Sequence, residues 1–356
     1  MIIDKYLWKR LGIATLYVLL AFSALYAIFD LLAESKNIGK EQYTTLTLFK
    51  YVLWRIPVYL YDVFPVSVLI GALISLTRLS SNNEYVVMRV CGISKKRLIG
   101  ILTIFACSCA LFNAFIGEYL LPVSYENSNR IKYTAHYGEN AAINKNGIWI
   151  KSGNDMIHID YLLPDGTMQG VNRYHLTDDF HLDTITFSQT AQYKDNQWQL
   201  NQLNEATIAN DKISFRQTIS DKWQTNINPD LVKVLIIEPS QMPVYTLNKY
   251  IKHLNNNQQR TVTYEIAKWR KIFYPFGAIA MVLVALAFTP VIARHSNMGW
   301  RIFLGMCLGV AFHFLGRFFS FYAELFNLTP FIAGGMPIIL FTLFAIFINT
   351  YIQKQQ

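Results

Sequence analysis

Six apolar stretches of membrane-spanning length constrain this 356-residue chain more than any other feature. A helix needs about 20 consecutive apolar residues to cross the hydrocarbon of a bilayer, and it must satisfy its backbone hydrogen bonds within itself. The windows 11–32, 57–79, 98–121, 272–293, 302–323 and 330–352 meet that requirement. An even number of spans puts both ends of the chain on one side. The first window is too long for a signal-peptide h-region and has no small-residue cleavage pattern after it, so it is expected to remain as a span. Mean hydropathy is only +0.23 although 53% of residues are hydrophobic. Very apolar segments must therefore alternate with a polar one.

That polar segment is 122–262, which has no span-length apolar run. In its centre Ile148 and Ile150, Ile157 and Ile159, then Ile185, Phe187, Ala191 and Tyr193 recur with period two, the signature of half-buried strands. Pro164-Asp165-Gly166, Asp178-Asp179 and Asp195-Asn196 are turn signals at hairpin spacing. The pattern predicts an antiparallel sandwich or open barrel, with helix returning near 247–254. The chain then divides into spans one to three (1–121), an all-β domain (122–262) and spans four to six (263–356).

Orientation follows from Lys and Arg in the short connections. With the ends in the cytoplasm, eleven lie on inside flanks against four outside: Lys36, Lys40, Lys50 and Arg55. Lys268, Arg270 and Lys271 disagree, but long translocated domains weigh little in this rule. The net charge of +9 sits mostly beside the spans, and the polar segment has no dense basic stripe with interleaved aromatics, which argues against nucleic acid.

No phosphate loop, nucleophile elbow, zinc-protease helix or paired Cys motif occurs, so no enzyme is expected. The nearest imitation of a phosphate loop, Gly92-Ile93-Ser94-Lys95-Lys96, lacks its first glycine and its Ser/Thr. His158, His175 and His181 read as surface or edge histidines, and no metal is expected. Cys91, Cys107, Cys109 and Cys307 all lie outside the polar segment, which excludes a disulfide framework there.

Three positions carry possible chemistry. The stretch 79–92, after span two, reads as a short helix over about 81–91, capped by Ser81 or Asn82 and ended by Gly92. It shows Val86, Val87 and Val90 beside Glu84 and Arg89, suited either to a groove on a partner protein or to the bilayer surface. Lys36 and Lys40 would share a helix face just beyond span one if the helix ran that far. They could meet a phosphate or simply snorkel. Arg317 lies deep in span five, where an unpaired guanidinium is costly, and must face protein, water or an anion: a structural partner such as a carboxylate, or an anionic substrate.

Several motifs together resemble the lipopolysaccharide-export permeases of the LptF/LptG type, over nearly the whole chain. They are Ile3-Asp4-Lys5-Tyr6; Phe64-Pro65 with Leu69-Ile70-Gly71-Ala72-Leu73; Asn83-Glu84-Tyr85-Val86-Val87-Met88 with Gly92-Ile93-Ser94; Trp269 with Lys271-Ile272-Phe273 and Pro275; and Met298-Gly299-Trp300-Arg301. The Glu84 motif and the placing of Lys36 look more like the LptG branch than the LptF branch. One departure is Asn37, where the family often has a second basic residue; Lys40 is the nearest replacement. The resemblance implies a coupling helix at Glu84, Val87, Met88 and Arg89 seated on an LptB-type ATPase, which binds the ATP, so that this chain carries no cofactor. It also implies a periplasmic jelly-roll-like domain, an LptF-type second half and an LptC-type partner in the bacterial inner membrane. Lys36 and Lys40 would contact lipid A phosphates. Its rivals are four-span ABC-linked proteins of the macrolide-exporter or division-scaffold kind, and a membrane enzyme acting on lipid-linked sugars.

Overall fold

The computed structural model describes residues 2–40, 42–92, 94–137, 147–163, 166–179, 181–194, 197–209, 212–223, 237–288 and 298–355, with isolated positions between 224 and 236. Among them are six stretches long and apolar enough to cross a membrane. A six-stranded antiparallel sheet stands between the third and the fourth.

The first span is α1 (Ile2–Ser35) and the second is α2 (Thr45–Ser81). α2 begins twelve residues before its apolar window, capped by Thr44, whose hydroxyl accepts from the Thr47 N–H at 3.3 Å. With 37 residues it is longer than the hydrocarbon is thick, so part of it extends beyond the hydrocarbon. It is also the central helix: its most apolar stretch is 83% buried, against 22% for the first span and 17% for the fifth. The open faces of the first and fifth spans must therefore be covered by lipid or protein.

Close approach of α1 to α2 depends on Gly71. A Cβ there would stand 2.6 Å from the Thr15 backbone, closer than any side chain tolerates. Gly71→Val is expected to force the helices apart at a cost of about 1–3 kcal/mol, read as a lower midpoint of thermal unfolding in detergent. An unchanged midpoint would show that this contact does not hold the pair.

The third span starts as α4 (Lys95–Phe115), after the short α3 (Glu84–Val90), and passes through a π-helical turn at Ile116–Leu120 into α5 (Leu121–Tyr137). Pro122 does not end it: the π turn just before it, in which the Leu121 N–H reaches the Ile116 carbonyl, shifts the backbone pairing at the point where the proline has no N–H to give. The Ser124 hydroxyl donates to the Trp54 carbonyl, and Ser128 and Ala135 are buried, so α5 continues along the first turns of α2. The fourth span is α7 (Val262–Phe273), a 3₁₀ turn at Tyr274–Phe276 around Pro275, and α8 (Gly277–Ala287). α6 (Val244–Asn256) precedes it, where the sequence predicted helix. α9 (Met298–Phe326) and α10 (Pro330–Gln355) complete the bundle. Pro290 and the end of the 272–293 window lie outside the described residues.

The sheet is a meander: β1 (Ile148–Ser152), β2 (Asp155–Leu162), β3 (Met168–Leu176), β4 (Leu182–Lys194), β5 (Gln197–Ala209) and β6 (Lys212–Trp223), paired in chain order. Pro164, Asp165, Asp195 and Asn196 lie outside the described residues, but the strands they separate pair as the predicted hairpins. One line of positions across the sheet, Asp160, Gly170, Gln189, Gln202 and Ile219, is skipped by the pairing of every neighbouring strand. Gly170 and Gln202 have φ of +64° and +53° there.

This crease resets the alternation of side chains. Ile159 and Leu162, three apart on one strand, are both buried, as are Val171 and Met168 on the next. Ile148, Ile150, Ile157, Ile159 and Ala191 face inward as predicted. Ile185 does not reach the buried row and Phe187 turns outward; Thr186 and Ser188 occupy the inside instead. The Ser188 hydroxyl bridges the crease, within 2.8 Å of the Asn201 carbonyl and 3.0 Å of the Thr190 carbonyl. Trp198 closes the core, donating its indole N–H to the Ile227 carbonyl at 2.7 Å.

Candidate coupling and lipid-contact sites

The bundle end that holds the N-terminus also holds α3. α2 ends at Ser81, Asn83 adopts a left-handed φ of +57° that Asn tolerates, and Gly92 at +85° turns the chain out of α3. Asn82 caps α2 with its backbone and donates its side chain to Glu84 at 3.3 Å, so it does not cap α3. The Tyr6 hydroxyl donates to Glu84 Oε2 at 2.7 Å, and Arg10 pairs with Oε1 at 3.4 Å while its guanidinium lies over the Tyr6 ring. Arg97 pairs with Asp4 at 3.4 Å alongside. The Glu84 carboxylate thus points back to α1 and fixes α3 to the first span.

On α3, Tyr85 and Met88 pack against the membrane core, whereas Val86, Val87 and Val90 are 45%, 59% and 82% exposed. Exposed valines on a short, anchored helix offer an apolar ridge to a partner. Met88 faces the bundle and carries α3 from within. The Arg89 side chain lies outside the described residues.

At the opposite end α1 stops at Ser35, so Lys36 and Lys40 are not successive turns of a helix. They flank a tight turn in which Gly39 has φ +84°, and both are exposed. Tyr43 anchors the turn through backbone bonds to Gly39 and Lys40; burial pushes its phenol up to about 12, with the Glu34 charge adding. Lys40 donates to Asn37 at 3.4 Å and Asn37 to Glu34 at 2.9 Å. Lys36 makes no hydrogen bond or ion pair among the described residues.

Cations just below are neutralised. Asp30 pairs with Arg55 at 3.4 Å and accepts from the Tyr59 hydroxyl, while Glu34 takes Lys132. The α1 carboxylates thus hold the cations of α2 and α5 and leave Lys36 facing outward, available to an anion.

Arg317 is exposed on α9, and no described carboxylate lies within ion-pair distance, so the structural carboxylate pair is not formed. Asp62 and His313 lie within electrostatic reach of both Arg317 and Arg270. Arg270 and His313 line a cavity of about 20 Å³ with Tyr274, Gly334 and Pro337, room for a single water. Such a cavity is too small for a lipid head group.

A family model described as lipopolysaccharide export system permease LptF/LptG matches residues 5–351. The chain belongs to the LptF/LptG family. The lipopolysaccharide export system permease protein LptG of Escherichia coli K12 is 27% identical over 339 residues, covering 94% of each chain. The protein of the same name from Haemophilus influenzae Rd is 27% identical over 342 residues, 95% of each. Both relatives carry the LptG name, in agreement with the LptG-like character of the Glu84 motif and Lys36. LptF/LptG proteins are a permease family and not a known enzyme family.

Sequence reasoning missed the partners of Glu84. Tyr6 and Arg10 lie on another span, and nothing local pairs them with it. It also missed Glu118 and Lys271, although a carboxylate inside the 98–121 window was a readable signal.

Proposed function

We propose that this chain is the LptG-type half of an ABC transporter that extracts lipopolysaccharide from the bacterial inner membrane and passes it to a periplasmic bridge. A separate LptB-type ATPase dimer supplies the energy, an LptF-type chain completes the cavity, and an LptC-type protein receives the lipid. The observation that carries this reading is the family match along almost the entire chain. The exposed valine ridge of α3, fixed to span one through Glu84, supports a docking role toward the ATPase on the cytoplasmic side. The β-domain would be periplasmic, and Lys36 and Lys40 would meet lipid phosphates at the outer end of the first span. Arg317 is kept as a candidate anion contact reached through the open face of α9.

The four-span exporter or scaffold reading is disfavoured by six spans. Reporter fusions at Lys96, Asn297 and the C-terminus test orientation, since all three should report cytoplasm. Purification in mild detergent tests the assembly. It should yield a cytosolic ATPase, a second six-span chain and lipopolysaccharide; recovery of the chain with none of these contradicts the proposal.

A further inference from the structure

Two opposite charges from different spans grip one turn of the segment that joins the β-domain to the bundle. Glu118, in the π-helical turn of span three, accepts the Val244 N–H with both oxygens at 3.1 Å. Lys271, buried in α7 of span four, donates to the Met242 carbonyl. They lie within electrostatic reach of each other but not in an ion pair. The backbone between them enters α6, so Glu118 sits at the positive end of that helix.

The gripped turn is a packed one. Met242 is fully buried with Leu247, Tyr250 and Leu254 of α6, and Tyr264 and Ala267 of α7 pack against them. At the far end of α6, about 20 Å away at 1.5 Å per residue, the Asn257 side chain accepts the Gly153 N–H at 2.9 Å, in the β1–β2 hairpin turn. A continuous path therefore runs from spans three and four, through one clasped turn and one rigid helix, to the edge of the sheet.

We infer that Glu118 and Lys271 are positioning residues whose clasp on the 242–244 turn transmits movements of spans three and four to the β-domain through α6. This rests on the transport reading above. Lys271 is buried and Glu118 half-buried within membrane-spanning stretches, where a charge is costly unless matched, and each is matched here by a backbone group of fixed polarity. The two charges are therefore not interchangeable: a lysine at 118 would face an N–H, and a glutamate at 271 would face a C=O.

The test is made in the full reconstituted transporter, with ATP-driven release of lipopolysaccharide from proteoliposomes measured beside ATP hydrolysis. A spin-label pair on α6 and the β1–β2 hairpin reports their distance. Glu118→Ala and Lys271→Met are each expected to lower lipid released per ATP about threefold or more, as loss of one element of a coupling network does. They should also broaden the α6–hairpin distance, with the partner chains still bound. The exchange variant, Glu118→Lys with Lys271→Glu, should be at least as defective as either single change. Restored release by the exchange variant would show an ordinary salt bridge and overturn the inference, as would unchanged release and distance in both single variants. Should the unmodified chain itself release no lipid, it is the transport reading that fails. The distance measurement then still decides whether the clasp positions α6.

Discussion

Glu84→Arg is expected to lower recovery of the cytosolic ATPase with the permease about tenfold, equivalent to about 1.4 kcal/mol of lost interaction. The carboxylate accepts from Tyr6 and Asn82 and pairs with Arg10, and the side chain keeps 25% of its exposure. Hydrogen bonds to a charged group are worth about 1.5–3 kcal/mol when well buried, and partial exposure reduces that. Reversal also sets a guanidinium against Arg10, so α3 would leave its seat on the first span. The loss would be indirect, because Glu84 faces α1 while the valines face outward. Val87→Asp separates the two roles: it should abolish ATPase recovery while leaving the Tyr6–Glu84–Arg10 contacts and the unfolding midpoint unchanged. Normal ATPase recovery with both variants would remove α3 from the coupling account.

Replacing Lys36 and Lys40 together by alanine is expected to cut photo-crosslinking of lipopolysaccharide at the outer end of span one by about three- to tenfold. Exposed charge pairs contribute roughly 0.2–1 kcal/mol each, and two such contacts to phosphate reach that range. The effect should shrink in high salt, since both lysines are exposed. Membrane insertion should be unaffected, because the backbone bonds of Tyr43 to Gly39 and Lys40 hold the turn and survive both replacements, the long Lys40–Asn37 contact being the one bond lost. Equal crosslinking in the double variant would mark the lysines as snorkelling groups.

The spans were legible because hydrocarbon thickness fixes a length that composition alone meets. The same rule truncated them: a hydropathy window finds the part of α2 inside lipid, whereas the helix starts at Thr45 because Thr44 caps it. Likewise α5 runs to Tyr137 on small buried residues, Ser124, Ser128 and Ala135, that no apolar window detects. The hairpins were readable from alternation and turn residues. The inward face of β4 was not, because the crease at Gly170, Gln189 and Gln202 is a property of the whole sheet and shifts the parity of a strand that is locally regular.

The candidate sites divide in the same way. Residue types in α3 pointed to a capped amphipathic helix, yet the role of Glu84 depends on Tyr6 and Arg10, more than 70 residues away in sequence. The helical spacing of Lys36 and Lys40 suggested a shared face that the turn at Gly39 removes. Arg317 was recognisable as costly, but that no described carboxylate comes within ion-pair distance of it, Asp62 lying only within electrostatic reach, was not.

Reconstitution measures the transport role itself. The chain is placed in proteoliposomes with an LptF-type half, an LptB-type ATPase and an LptC-type acceptor, and lipopolysaccharide transfer to the acceptor is followed with ATP and with a non-hydrolysable analogue. Transfer is expected to require both hydrolysis and this chain. Transfer that proceeds equally without this chain, or ATP hydrolysis with no transfer in the complete assembly, would contradict it.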